Sequence, residues 1–233
     1  MAMIISNVSG IDRRLFTEKY PDIAKAWGLE GHEPQIKSIV CGYSGKYERE
    51  LPLVQNGEIK LDKYYQDNRQ PEEYFYDVLD AWVVEDIAEI WLKERLSKLN
   101  PAFVVGRLGS DKDRIFQTRD SYKITTNADF VCSLNGFKRK IEMQMSRRSR
   151  RTYDMKKGKV ERAFREGILF LWFVIPENAY FFCDPNKDLK DVKPTCNPDW
   201  GKDTYLLASS AVKHYLVRDD FGEEVYEILG LKI

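Results

Sequence analysis

Two acidic residues, Asp129 and Glu142, lie at matching distances on either side of the dipeptide Asn135–Gly136. Asn-Gly between two runs of alternating apolar residues predicts a β-hairpin, because its two-residue type I′ turn requires positive φ at both positions. Counting outward from the turn pairs Phe130 with Ile141, and the next pair is Asp129 opposite Glu142. Carboxylates in directly opposed positions repel each other. A divalent metal ion with oxygen ligands would relieve that repulsion, so the spacing predicts a site for a hard cation.

Side chains alternate along a strand, which sorts the hairpin residues into two faces. One face is apolar apart from Arg139 and comprises Phe130, Cys132, Leu134, Phe137, Ile141 and Met143. The other face is polar and comprises Asn127, Asp129, Lys140, Glu142 and Gln144. Lys140 lies close enough to Glu142 on this face to assist the metal. An ordinary hairpin with a solvated polar face shows the same pattern, so the hairpin alone leaves both interpretations open.

The composition excludes several classes of protein. The 233 residues are 43% hydrophobic, which predicts one large domain with a substantial core. No apolar run reaches the roughly 18 residues of a membrane span, and the N-terminus lacks the apolar core of a signal peptide, so we expect a cytoplasmic protein. The four cysteines are widely separated without a C-x-x-C pair, and there are two histidines. This argues against a disulfide scaffold and against a zinc site.

Basic and acidic residues balance at 37 each, yet the basic residues are concentrated in one segment. From Lys138 to Arg165 there are twelve basic and three acidic residues, a local net charge of +9. Local charge determines a binding footprint, so the segment predicts contact with nucleic-acid phosphates, and arginine also reads guanine edges. A solvated basic helix face is the simpler alternative. The residues expected to contact DNA are Arg147, Arg148, Arg150, Arg151, Lys156 and Lys157.

Hydrophobic periodicity predicts the elements that position these residues. Pro71 to Leu99 is predicted as a long helix, because apolar residues recur at helical spacing and two glutamates in the first turn complement the helix dipole. The other predictions are a strand over 35–42, a hairpin at Asn56–Gly57, a strand over 103–106, a basic helix over 147–166, a buried strand over 168–175, a strand over 179–183, and partly helical elements over 205–217 and 223–229.

The order of these elements resembles a known superfamily. Helix, strand, strand with Asp, strand with Glu-x-Gln, basic helix and buried strand is the order in the PD-(D/E)XK nuclease core, which type II restriction endonucleases and archaeal Holliday-junction resolvases share. The resemblance covers about residues 72–183 and rests on Asn127-Ala128-Asp129 and Glu142-Met143-Gln144. The sequence departs from the motif twice, with Ala128 in place of Pro and Gln144 in place of the usual Lys. Some restriction endonucleases resemble this chain in carrying Glu-x-Gln.

The resemblance implies a fold and a function. The implied fold is an α/β restriction-endonuclease-like core, a mixed β-sheet flanked by helices, in a single domain 1–233 with recognition or dimerisation additions at 1–71 and 184–233. The implied function is Mg²⁺-dependent hydrolysis of double-stranded DNA by a type II restriction enzyme that acts as a homodimer. The alternatives are a Holliday-junction, homing or repair nuclease with the same core, and a non-catalytic nucleic-acid-binding protein in which Gln144 marks lost catalysis.

The resemblance also implies roles for individual residues. Asp129 and Glu142 would hold Mg²⁺, with Mn²⁺ as a possible substitute, because Mg²⁺ favours one or two carboxylates plus substrate phosphate oxygens. The Gln144 amide could hold the attacking water but cannot act as a base, and Lys140 could replace the motif lysine. In related enzymes a glutamate of the first helix often reaches the site. The candidate catalytic residues are therefore Asp129, Glu142, Gln144, Lys140 and Glu89, with Glu85 as the alternative to Glu89.

Overall fold

The computed structural model describes residues 21–59, 61, 70–109, 128–197 and 201–231. These residues form two compact units, one ending at Trp91 and the other formed by the described residues from Leu92 onward. Three helices begin the described chain: α1 (Pro21–Ala26), α2 (Glu33–Gln55) and α3 (Pro71–Leu99), whose bounds are those predicted. The division into units falls within α3. None of the helices in the described ranges combines the length and apolar composition that a membrane crossing needs.

The first unit corrects two sequence-based predictions. The strand expected over 35–42 is part of α2, in which Ile36, Val40 and Tyr43 are buried at helical spacing. The hairpin expected at Asn56–Gly57 is instead the end of that helix, where Gly57 has a φ of 73°. Asn-Gly favours positive φ, and a helix end uses that preference as readily as a hairpin turn does. The Tyr43 hydroxyl donates to the Asp86 carboxylate at 2.8 Å and joins α2 to α3.

The second unit contains two β-sheets. Its strands are β1 (Val104–Arg107), β2 (Phe130–Leu134), β3 (Phe137–Ser146), β4 (Thr152–Lys156), β5 (Leu169–Val174), β6 (Ala179–Cys183), β7 (Thr195–Asn197), β8 (Lys202–Ala208) and β9 (Tyr215–Leu216). Its own helices are α4 (Lys157–Glu166), α5 (Pro185–Asp188) and α6 (Glu224–Ile228). Six strands form one sheet in the order β1-β2-β3-β5-β6-β9, and three form another in the order β4-β8-β7. Only β3 and β5 pair in parallel, so the larger sheet is mixed, as predicted.

The hairpin of β2 and β3 has the predicted turn and register. Asn135 has a φ of 49° and Gly136 a φ of 86°, which is the pair of positive angles that a type I′ turn requires. The paired residues are Leu134 with Phe137, Ser133 with Lys138, Cys132 with Arg139, Val131 with Lys140, and Phe130 with Ile141. The apolar face is buried away from the turn, with Phe130 and Ile141 almost wholly inaccessible, whereas Phe137 beside the turn is 54% exposed. A short-range turn signal thus determined how the two strands align.

The basic helix predicted over 147–166 is wrong in its first half. Residues 147–151 form a connection, Thr152–Lys156 is strand β4, and the helix α4 begins only at Lys157. Tyr153 and Met155 are buried and alternate with polar neighbours, so this stretch has the period of a strand rather than of a helix. The element expected to be partly helical over 205–217 contains the end of β8, which pairs antiparallel with β4, then a 3-10 turn over Ser209–Ala211 and strand β9.

The other face of the larger sheet, which carries Phe170 and Trp172, is covered by the second sheet and by α4. Every residue of β5 is buried, as predicted for a strand covered on both faces. Trp172 on β5 stacks on Phe181 with ring centres 5.9 Å apart, and Tyr153 of β4 lies 4.8 Å from the same phenylalanine ring. Val160 and Ala163 of α4 are buried in this cluster. The cluster therefore fixes α4 and β4 against the sheet.

Gly158 within α4 and Gly167 directly after it give matched tests of the assigned helix end. A Cβ at Gly158 or at Gly167 would meet no atom within 4 Å, so a substitution at either position reports on the backbone alone. Gly167 ends the helix with a φ of 63°, whereas Gly158 is helical. Gly158→Ala should raise the free energy of unfolding by up to about 1 kcal/mol. Gly167→Ala should lower it by about 1–2 kcal/mol, because an L-residue is strained there. Denaturant unfolding measures both, and equal shifts of the same sign would contradict the assignment.

Candidate functional site

Glu142 is a buried carboxylate in the middle of a polar cluster. Its side chain is 6% exposed, and its Oε1 atom is contacted by the ammonium of Lys159. The Gln144 amide nitrogen donates to the same oxygen at 3.1 Å. A charge removed from water destabilises a protein unless it is paired and hydrogen-bonded. Glu142 satisfies that condition through a lysine and an amide on one of its oxygens.

Asp129 approaches the same part of β3 from the neighbouring strand. It immediately precedes β2, and its Oδ2 accepts a hydrogen bond of 2.7 Å from the backbone N–H of Met143. Hydrogen-bonded pairs alternate along an antiparallel ladder, and this N–H is the next donor beyond the pair of Phe130 with Ile141. The Asp129 carboxylate therefore takes the place of a backbone acceptor and is held at the peptide that joins Glu142 to Met143.

Gln144 is tied to its neighbours on the strand. Its amide nitrogen donates to the backbone oxygen of Met143 at 2.6 Å as well as to Glu142. On the parallel neighbour β5, Gln144 pairs with Trp172 and Glu142 with Phe170. The polar residues thus continue the same face of the sheet as the aromatic core. Glu142 and Gln144 therefore lie at the edge of that core.

Lys140, the predicted substitute for the motif lysine, makes a different ion pair. Its ammonium lies 2.7 Å from Glu166, at the end of α4, and Arg162 contacts the same carboxylate at 2.7 Å. The hydrogen bond from Arg162, followed by that from Lys140, lowers the pKa of Glu166 to about 2. Glu166 is therefore ionised at neutral pH and holds Lys140 at the far end of the helix from Lys159.

Sequence reasoning did not single out Lys159, which it counted only as part of the basic segment. Lys159 is the third residue of α4 and precedes the buried Val160. Its place beside Glu142 depends on where the helix begins. The predicted helix began ten residues too early, at 147 and not at Lys157. A strand-like alternation at Tyr153 and Met155 was the available signal, because it moves the start of the helix to Lys157.

Two other predicted positions, Glu89 and its alternative Glu85, lie in the first unit. Glu85 and Glu89 are half-buried on the part of α3 that belongs to the first unit, whereas Asp129 and Glu142 belong to the second. The participation of Glu89, or of Glu85, in the site therefore stays a prediction. Asn127, placed on the polar face by the sequence, lies outside the described residues.

The arginine-rich stretch 147–151 leaves the site at the end of β3. Arg148, Arg150 and Arg151 are exposed, and Arg147 is partly exposed. The stretch is anchored at both ends, because the Ser146 hydroxyl donates to the Arg148 carbonyl at 2.5 Å and the Arg151 carbonyl accepts from a backbone N–H at 2.8 Å.

Two of the residues expected to contact DNA form ion pairs. Arg150 lies 3.2 Å from Asp154, and Lys157 lies 3.0 Å from Asp203. Lys156, another predicted contact residue, is exposed. The arginine-rich connection therefore presents cationic side chains on an anchored backbone within a few residues of Glu142.

The oxygen atoms of the cluster suit a hard cation. Asp129 and Glu142 provide two carboxylates, and Mg²⁺ is commonly held by one or two carboxylates with substrate phosphate and water supplying the rest. Within the described ranges no group of three or more Asp, Glu, His or Cys side chains is arranged to hold a metal. The described carboxylates therefore do not form an all-protein cage for an ion.

Comparisons with known proteins give matches among solved structures. No model of a known protein family matches the chain, and no curated protein sequence matches it. Twelve chains of solved structures match. Among them is a Holliday junction resolvase from the archaeal hyperthermophile Archaeoglobus fulgidus, with 13% sequence identity and a TM-score of 0.31. The match covers 50% of this chain and 83% of the resolvase.

Proposed function

We propose that this chain is a metal-dependent endonuclease that hydrolyses phosphodiester bonds of double-stranded DNA, with Mg²⁺ as its cofactor and Mn²⁺ as a substitute. The observation that carries the proposal is the hydrogen bond that holds the Asp129 carboxylate at the Met143 N–H, next along β3 to the buried Glu142, with the arginine-rich connection directly after that strand. Two carboxylates beside a cationic surface suit a substrate that is itself a polyanion.

The residues of the chain have distinct tasks in this proposal. Asp129 and Glu142 are the ligands of the ion, which when bound stabilises negative charge on the phosphate and lowers the pKa of a water molecule. Asp129 is oriented by the Met143 N–H, so its carboxylate does not have to be ordered when the ion arrives. Gln144 holds its amide beside Glu142 and orients water without accepting a proton.

The arginine-rich connection supplies the DNA contacts. Neutralisation of phosphates dominates the affinity of proteins for DNA. Arginine recognises the edge of guanine through two hydrogen bonds, to O6 and N7. Arg148 and Arg151 are exposed on a backbone held by Ser146 at one end and by Ser209, directly after β8, at the other. An anchored connection can hold arginine side chains at fixed base positions, which supports sequence-specific cutting.

The finer proposal is a type II restriction enzyme that works as a homodimer. A two-fold symmetric dimer presents the same site to both strands of a symmetric duplex sequence, which is how one active site per chain can produce a double-strand break. The residues before 72 and after 183 would supply recognition and dimerisation surfaces. A Holliday-junction, homing or repair nuclease would use the same catalytic residues, and substrate preference separates these alternatives.

The catalytic proposal predicts loss of cleavage without loss of DNA binding. Asp129→Asn and Glu142→Gln should each lower the single-turnover rate with Mg²⁺ at least about 100-fold, because each removes one ligand charge. DNA affinity measured in Ca²⁺ should stay the same or tighten slightly, since a negative charge near phosphate is removed. The matched control is Asp191→Asn, because that carboxylate is 88% exposed and paired only loosely with Lys190. Cleavage by Asp129→Asn at the parental rate would refute this metal site.

The DNA-binding proposal predicts a change in salt dependence. Replacing Arg147, Arg148, Arg150 and Arg151 with Ala should flatten the slope of log K against log salt by about 0.9 for every phosphate that the variant no longer neutralises. The control replaces four exposed lysines elsewhere, Lys187, Lys190, Lys193 and Lys213, and changes the net charge equally. Fluorescence anisotropy with a mixed-sequence duplex measures both slopes. A slope that changes more in the lysine control would place the DNA surface elsewhere.

A further inference from the structure

The ion pair between Glu142 and Lys159 points to a role that the sequence motif does not assign. Gln144 occupies the motif position of the usual lysine, so the strand itself offers no ammonium there. We propose that Lys159, from α4, is the catalytic lysine of this site and acts as a fixed cation on the substrate phosphate. This inference rests on the proposed nuclease function and assigns one further residue to it.

The two side chains differ in exposure. The Glu142 side chain is 6% exposed and the Lys159 side chain is 35% exposed. Lys159 is therefore the partner of the pair that solvent reaches more readily. A phosphate that approaches Glu142 from solvent therefore also approaches Lys159, and the carboxylate holds the ammonium in position beforehand. Charges arranged in advance are the most effective kind for stabilising a transition state.

The competing candidate, Lys140, is held elsewhere. Its ammonium pairs with Glu166, and Arg162 reinforces the same carboxylate. Two ion pairs thus connect β3 to opposite ends of α4. Lys159, near the beginning of the helix, contacts Glu142 of β3, and Glu166, the last residue of the helix, contacts Lys140 of β3. Moving Lys140 to Glu142 would break an ion pair, whereas Lys159 is already in contact with that residue.

The chemistry of hydrolysis defines what Lys159 contributes. The oxygen of water forms a bond to phosphorus while the bond from phosphorus to one sugar oxygen breaks. The water gives up one proton to bulk solvent, and the leaving sugar oxygen takes one from bulk solvent. Negative charge builds on the phosphate oxygens during this exchange. Lys159 remains protonated throughout and donates hydrogen bonds to those oxygens, so it neither supplies nor removes a proton. Loss of one such donor from an active site lowers turnover by about 100-fold to 1,000-fold in well-studied enzymes.

A second consequence separates this role from a purely structural one. Lys159 and the divalent ion both carry positive charge beside Glu142, so the lysine must weaken binding of the ion. Removing its charge should therefore tighten metal binding while it slows cleavage. A lysine that only stabilised the fold would affect both properties in the same direction, because its loss would disorder Glu142.

The experiment uses Lys159→Met, Lys159→Arg and Lys140→Met in the full chain. Isothermal titration of the protein with Ca²⁺, without DNA, should show at least about fivefold tighter binding for Lys159→Met. Single-turnover cleavage at saturating Mg²⁺ should fall at least about 100-fold for Lys159→Met and less for Lys159→Arg, which keeps the charge. The DNA affinity in Ca²⁺ should change far less than the cleavage rate.

Three results would overturn the inference. One is cleavage by Lys159→Met at the parental rate, and another is a greater loss in Lys140→Met than in Lys159→Met. The third is weaker Ca²⁺ binding together with a lower melting temperature in Lys159→Met, since that pattern indicates a structural role. Failure of the proposed function is distinguishable, because the parent chain would then bind DNA without cleaving it while the calcium titration still reports on Lys159.

Discussion

A buried carboxylate has to be compensated, and in this chain that requirement falls on Glu142. Removing one partner of a buried ion pair leaves an uncompensated charge and destabilises a protein by about 3–5 kcal/mol. Glu142 obtains its partner from Lys159 on α4, not from its own strand. The first turn of the helix must therefore lie close to Glu142. Glu166, at the other end of α4, repeats the arrangement with Lys140 and Arg162.

The second constraint is the continuity of one face of the larger sheet. Glu142 and Gln144 are in register with Phe170 and Trp172, so the polar cluster borders the aromatic core. That core is closed by β4 and β8, and the short connection that leads from β3 into β4 carries the arginines. Electrostatic interactions are stronger where nearby apolar groups exclude water. The same packing that buries the core thus holds Lys159 against Glu142, and β3 leads from that pair into the arginine-rich connection.

The sequence predicted those parts of the molecule that depend on short-range signals. Asn135–Gly136 was sufficient to set the hairpin register, and the long periodic helix α3 was predicted to its last residue. Strand β4 was missed because its alternation covers five residues inside a basic segment, and its partner β8 lies about fifty residues further on. Strand pairing over such distances leaves no local trace in the chain.

The strand residues of the candidate site were chosen by counting outward from one turn, and the observed ladder follows that count as far as Phe130 with Ile141. The helix residue was not reached in this way. The contact of Lys159 with Glu142 spans 17 residues and depends on the start of α4, which the missed strand displaced. Lys140 illustrates the converse, because spacing on the strand suggested Glu142 as its neighbour, whereas the end of α4 provides Glu166 at 2.7 Å. Alternation along a strand assigns a side chain to a face, but packed neighbours determine its partner.

The most direct measurement of the central claim is sequencing of DNA ends after incubation of the parent chain with mixed-sequence plasmid and Mg²⁺. The account predicts new ends that require the metal, recur at one short sequence and disappear in Asp129→Asn. New ends at random positions would support a nuclease without the proposed sequence specificity. A parent chain that produces no more ends than Asp129→Asn, although both bind DNA, would contradict the claim that Asp129 and Glu142 form a catalytic metal site.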